Sequence, residues 1–240
     1  MYDFERQSDV SHLPSFRHHA IYMGPWDIMS QHFINYYKPP PGISSFTKIR
    51  LGWISRHQVN FVMPGETRFI SLSPLSQNGE ALVIKVPLSW GYYYLIENRQ
   101  PIGFDKVLPD SGILILKVNT LVYEGSGTVQ VMNANSNYPH YSQAAFKLDR
   151  QKGNIFVDKN HDIAVIPLWS DGENQNVLVT TPEKSSSALR SALLIQELLN
   201  LYPKPQEKKQ DQLIKKCIRA YKNFDFKACG QLAQDILKEQ

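Results

Sequence analysis

The 240-residue chain contains only two cysteines, Cys217 and Cys229, too few for a disulfide scaffold and silent on redox compartment. No apolar run approaches the roughly 18 residues that a membrane helix needs. Residues 1–20 are polar and carry three histidines, so they hold no secretory signal. Missing too is His-Glu-x-x-His, the helical pair of imidazoles with a glutamate base that a zincin requires. The histidines are His12, His18, His19, His32, His57, His140 and His161, and none stands in that spacing. Adjacent His18 and His19 point in different directions in helix or strand. With His12 they form at most an improvised metal site, and loop histidines without metal are the plainer reading. Ser30 has no His and Asp partners at a hydrolase spacing. Gly125-Ser126-Gly127 lacks the context of a phosphate loop and reads as a hairpin turn. Asp158-Lys159-Asn160-His161-Asp162 lacks the glycine and terminal glutamate of a calcium loop and reads as a turn as well.

What is present suits a globular α+β protein. Hydrophobic residues make up 42% of the chain, enough to fill real cores at this length. Composition divides it into residues 1–58, 59–182 and 183–240. In the middle segment, short alternating runs at Val59 to Val62, Thr67 to Leu72, Ala81 to Val86, Tyr92 to Glu97, Gly112 to Val118, Ile163 to Leu168 and Val177 to Thr181 predict strands. Such runs without intervening helices predict an antiparallel β-sandwich; residues 133–141 read as a long surface loop. Beyond Pro182 the period changes. Ser185 to Ser187 are expected to cap a helix with Leu189, Leu193, Leu194, Leu198 and Tyr202 on its apolar face, stopped by Pro203 and Pro205. Two more helices follow, separated by a turn at Asn223 to Asp225, giving a helical hairpin or bundle. From residue 203 onward stand nine Lys/Arg and five Asp/Glu, which supply the net charge of +4. Tyr221, Phe224 and Phe226 sit where packing needs them, so this is a solvated basic face and predicts no nucleic-acid partner.

The most informative stretch is Gly24-Pro25-Trp26-Asp27-Ile28-Met29-Ser30. Pro25 restricts the backbone and Trp26 supplies bulk to fix a loop to a core. Met29 is an unbranched, polarizable thioether of the kind that packs under imidazole rings without competing as a ligand. This resembles the methionine turn of a metzincin zinc peptidase. Ser44 to Ile54 reads as a helix that Ser44 or Ser45 caps and Gly52 ends, with Phe46, Ile49 and Trp53 as its buried stripe. Together with Tyr2-Asp3 and the run Tyr92 to Arg99, these segments resemble the secreted metallopeptidases of the immune inhibitor A family. Members typically read His-Glu-x-x-His-x-x-Gly-Leu-Pro-Asp-Leu-Tyr-Asp and later Gly-Pro-Trp-Asp-x-Met. The likeness is specific over roughly residues 1–120, general to 182 and undiagnostic beyond.

The resemblance implies the C-terminal part of a secreted zinc endopeptidase: a remnant of the catalytic domain, a sandwich and a helical tail. If Tyr2-Asp3 match the end of the family string, the three zinc ligands and the catalytic glutamate lie upstream of Met1. As 240 residues the chain is then expected to be inactive and to hold no cofactor, zinc and a protein or peptide substrate belonging to the intact family. The methionine-turn residues Pro25, Trp26, Asp27 and Met29 are expected to be structural. Met29 should be buried beneath Trp26 and Trp53, and Asp27 should anchor the loop by hydrogen bonds. Glu97, Asn98 and Arg99 are expected to tie a strand end to the turn at Pro109 to Gly112 or to the peptidase-like segment. The alternative for that triplet is a polar site in which Arg99 binds a carboxylate. A second reading of the whole is a self-standing, non-catalytic β-sandwich that binds a polymer, a surface or a partner. Cys217 and Cys229 flank Phe224 almost symmetrically. They read as free buried thiols, or as a bridge if the protein is exported.

Overall fold

The computed structural model describes residues 22–30, 39–123, 126–149, 155–203 and 208–238. The chain is α+β, with two mostly antiparallel sheets and four α-helices among the described residues. It divides into two compact units. The first is drawn from Met1–Met63, Ser71–Phe146 and Gly172–Gln175, the second from Pro64–Ile70, Lys147–Asp171 and Asn176–Gln240. These units cut across the three segments expected from composition: the N-terminal segment shares a unit with most of the strands, and the helical tail shares one with the rest.

In the first unit, α1 (Ser45–Arg50) precedes β1 (Val59–Phe61), β3 (Val83–Ser89), β4 (Tyr92–Arg99), β5 (Gly112–Asn119) and β6 (Val129–Met132). The sheet order is β1-β3-β4-β5-β6. β1 runs parallel to β3 and every other neighbouring pair is antiparallel. β3 and β4 form a hairpin through Trp90 and Gly91, and the register shifts between Pro87 and Ser89. Proline cannot donate to a ladder, which suits a place where pairing is interrupted. Strand alternation puts Tyr93, Leu95, Glu97 and Arg99 on one face of β4. Their partners Val118, Leu116, Leu114 and Gly112 on β5 lie on the same face. Leu95, Leu114, Leu116 and Val118 there join Met23, Trp26, Phe46 and Ile54 in one core.

α1 ends as expected at glycine. Gly52 adopts φ +71, and Gly52 N–H and Trp53 N–H donate to the carbonyls of Ile49 and Lys48, the paired closure that favours a residue without a Cβ. Phe46 is buried and Ile49 packs on the core, but Trp53 is 66% exposed. The left-handed turn at Gly52 carries the chain off the helical stripe, which corrects the expectation of a buried Trp53. Two strands escaped the sequence reading, β6 and β7 (Phe156–Asp158), because four and three residues are too few for an alternating pattern to register.

The second unit holds a four-stranded sheet in the order β2-β9-β8-β7, from β2 (Arg68–Leu72), β7, β8 (Ile163–Asp171) and β9 (Asn174–Thr180). Ser71–Leu72 and Asn174–Gln175 of that sheet count with the first unit. Most of the second sheet thus counts with the second unit, and the five-stranded sheet with the first. β7 and β8 are antiparallel and joined by the Asp158 to Asp162 turn. The Asp158 carboxylate accepts from Asn160 N–H and pairs with His161 Nδ1 at 2.7 Å.

Three helices complete this unit: α2 (Pro182–Leu201), α3 (Lys208–Lys222) and α4 (Phe226–Lys238). The cap of α2 is Thr181, whose side chain accepts from Lys184 N–H, with Pro182 in the first helical position, where its missing donor costs nothing. Ser185 to Ser187 lie inside the helix, which corrects the expected cap. The buried stripe is rotated accordingly, running through Ser185, Ala188, Ser191, Ala192, Ile195 and Leu198. Small residues let α4 approach closely: Ser191 Oγ donates to the Phe226 carbonyl at 2.7 Å. Trp169, Tyr221 and Phe226 meet edge to face, with ring centres 5.3 and 5.0 Å apart. Tyr221 and Phe226 are buried, whereas Phe224 at the turn is 38% exposed with φ +64.

Cys217 and Cys229 are buried free thiols. Burial pushes Cys217 up to about 11 and Cys229 up to about 12, the latter raised further by Cys217 and by Asp225. An unfolded thiol ionises near 8.5. A pKa raised on folding contributes stability that is full below that value and is lost as pH climbs through the folded one. The urea midpoint of the second unit is therefore expected to hold to about pH 8.5 and to fall between about pH 9 and 12. Cys217→Ala combined with Cys229→Ala should flatten that decline. An equally steep decline in the double variant would assign the effect to other groups.

Candidate functional site

The residues that carry the resemblance converge in the first unit on a buried ionic cluster. Gly24–Trp26 forms a short 3-10 turn with Pro25 at its start. Trp26 is fully buried, and its indole N–H donates to the Tyr141 carbonyl at 2.8 Å. Asp27 is fully buried too. Its Oδ1 accepts from Met29 N–H at 2.8 Å, and its Oδ2 from Ser44 N–H at 2.8 Å and from Thr47 Oγ1 at 3.4 Å. One carboxylate thus fixes the turn internally and also joins it to the start of α1.

Arg99, at the end of β4, has no exposed surface. Nε and Nη2 form a fork on Asp105 at 2.9 and 2.8 Å. Nη1 donates to Glu97 Oε1 at 2.9 Å and to the Trp26 carbonyl at 3.0 Å. Nη2 also donates to the Gly42 carbonyl at 3.2 Å. All five guanidinium donors are used. Burial pulls the Arg99 pKa down, but Asp105 and then Glu97 more than offset that and hold the cation charged.

Both acids accept a backbone amide as well. Glu97 Oε2 accepts from Ser45 N–H at 2.8 Å, and Asp105 Oδ1 from Gly42 N–H at 3.1 Å. A Cβ on Gly42 would collide with the Asp105 carboxylate, so glycine is required there by close approach. The amides of the N-cap Ser44 and of Ser45, the first residue of α1, are met by Asp27 and Glu97. Lys48, one turn on, donates from Nζ to the Leu75 carbonyl; burial lowers its pKa, opposed by the nearby Glu97.

Asn98 points to the other face of β4 and donates from Nδ2 to the carbonyls of Leu72 and Glu173 at 3.0 and 3.2 Å. The side chains of Glu97 and Arg99 thus reach residues 26, 42 and 45 of the N-terminal segment, while the strand end pairs through its backbone with Gly112. Asp105, which carries the fork, was not singled out from the sequence; its only signal there is an acidic residue six positions after an arginine that follows a glutamate.

Met29 departs from expectation. It is 40% exposed, not covered by Trp26 and Trp53, because Asp27 turns the backbone so that Trp26 goes inward and Met29 outward. Met29→Ala is accordingly expected to cost under about 1 kcal/mol instead of the several kcal/mol of a core methionine; a urea-measured loss above about 2 kcal/mol would show that the thioether is packed.

Among the described residues, no three His, Cys, Asp or Glu side chains stand close enough to hold a metal ion. His12, His18, His19 and His32 lie outside the described residues. No helix of the described residues is long and apolar enough to cross a membrane. No family model, curated protein or solved structure matches the chain.

Proposed function

We propose that the chain is the C-terminal portion of a secreted zinc endopeptidase of the immune inhibitor A type, with Pro25, Trp26, Asp27 and Met29 as its methionine turn. The observation that supports this reading is a turn held by buried hydrogen bonds that nonetheless presents its methionine outward. A thioether kept in place by a fixed backbone, yet uncovered, suits a floor on which other residues are meant to rest. The family's zinc, bound by a His-Glu-x-x-His helix, supplies the nucleophilic water for attack on a peptide carbonyl. The residues of this chain do not fit that metal: the ligand spacing is absent from the sequence and the described side chains offer no ligand set. What they contribute is support for the turn and for α1. As 240 residues the chain is a non-catalytic scaffold portion, its peptide substrate and extracellular setting being those of the intact enzyme.

Two measurements test this. The gene read in frame upstream of Met1 should encode His-Glu-x-x-His within about fifteen residues; an in-frame stop with no such motif overturns the assignment. The purified chain should bind no stoichiometric zinc and leave casein uncleaved. About one tightly held zinc per chain would instead assign ligands to residues such as His12, His18 and His19.

A second reading, a self-standing non-catalytic binding protein, is favoured by one feature outside the turn, a half-open cavity beside α1.

A further inference from the structure

The face of β4 that carries Glu97 and Arg99 continues outward through Leu95 and Tyr93, and there α1 leaves space. Phe46, Ile49 and Arg50 of α1 stand over Tyr93 and Leu95 of β4, Lys85 of β3, and Val59 and Phe61 of β1. They enclose a cavity of about 360 Å³, within the range of small-molecule sites. Its walls are mostly apolar and aromatic, and no acidic residue among the described residues lines it.

The charges that do line it are all positive: Arg50, Arg56 and Lys85. Lys85 stands opposite Leu95 in the ladder with its ammonium 3.8 Å from the centre of the Tyr93 ring and 5.9 Å from that of Phe61. Among the described residues no carboxylate pairs with Lys85 or Arg56. Two neighbouring strands differ here. Four residues past Leu95, the buried Arg99 is matched by two carboxylates, whereas the half-buried Lys85 has only ring faces to offset its lost hydration. Burial lowers the Lys85 pKa with no acid opposing it, the environment that a bound anion would relieve.

We propose that this cavity binds a small organic monocarboxylate with a flat apolar body, its carboxylate between Lys85 and Arg56 and its body against Phe46, Ile49, Tyr93 and Leu95. An apolar body follows from the walls, and ring surfaces on both the helix and the strand favour a flat one. A carboxylate suits the charges, since Lys85 and Arg56 line the cavity without an acidic neighbour among the described residues, and the mostly apolar walls favour a small, singly charged head group. The proposal holds whether the chain is a portion of a peptidase or stands by itself.

The test is a calorimetric titration of the full chain with 1-naphthoate, beside the neutral 1-naphthalenemethanol. The acid should saturate at about one per chain and bind about tenfold or more tightly than the alcohol. Arg56→Gln, at an exposed position, should weaken the acid about fivefold or more without moving the urea midpoint, and Lys85→Met should abolish saturation. Should Lys85→Met fail to fold, Arg56→Gln alone decides. Absence of saturable binding by the acid, equal binding of the alcohol, or wild-type affinity in Arg56→Gln each overturns the proposal.

Discussion

Arg99→Met is expected to destabilise the first unit by about 3–5 kcal/mol, because it leaves Glu97 and Asp105 buried without their counter-charge. A domain has only about 5–15 kcal/mol in hand, so the variant should unfold at markedly lower urea. The loss does not measure the worth of the ion pairs, since it includes the penalty of two stranded carboxylates and two stranded carbonyls, those of Trp26 and Gly42. Arg99→Lys should recover only part of it, since three donors on a flexible stem cannot reproduce the fork on Asp105. Adding Glu97→Gln and Asp105→Asn to Arg99→Met should return more stability than either addition alone, the coupling expected of groups in one network. A cost of Arg99→Met under about 1 kcal/mol would show that water reaches these carboxylates and that the cluster is not closed.

Trp26→Ala carries the other large effect, about 3–5 kcal/mol from the loss of a buried indole and the void it leaves. The indole is also one half of a link to the Tyr141 carbonyl. Trp26→Phe should therefore cost distinctly less than Trp26→Ala, yet still about 1 kcal/mol for the unpaired carbonyl in addition to lost area. Urea unfolding monitored separately in each unit should place the damage in the first. If Trp26→Ala lost less than about 1 kcal/mol, the turn would not be part of the core.

Much of the architecture was legible in the sequence where the signal is local. Tyr92 to Arg99 and Gly112 to Asn119 are long runs of β-formers, and the helices after Pro182 announce themselves by period and by their stops. The segments that resemble the metallopeptidases were found from residue types such as Pro25, Trp26 and Asp27 that have few other reasons to stand together. What stayed hidden is information held between segments. Nothing in the spacing of Asp105 says that it reaches Arg99 and Gly42, and nothing around Lys85 says that Arg56 and Phe46 will share a cavity with it. Trp53 was placed inward by its helical spacing from Phe46 and Ile49, and Met29 by the likeness to a methionine turn. Backbone direction overrode both, through the Asp27 turn and through the left-handed Gly52. On α2, the heavy leucines suggested the buried face, but close approach of α4 at Ser191 selects the serine and alanine stripe instead.

The Arg99 cluster also bears on the order in which the molecule assembles. Its two carbonyl partners come from far along the chain: Nη1 reaches Trp26 across 73 positions and Nη2 reaches Gly42 across 57. Closing spans of that length is entropically unfavourable and slow relative to zipping the β3–β4 hairpin. Until those segments dock, the cluster is expected to stay open to water on the side that Trp26 and Gly42 later cover. It is expected to act as a late-closing latch, so that Arg99→Met should speed unfolding more than it slows folding.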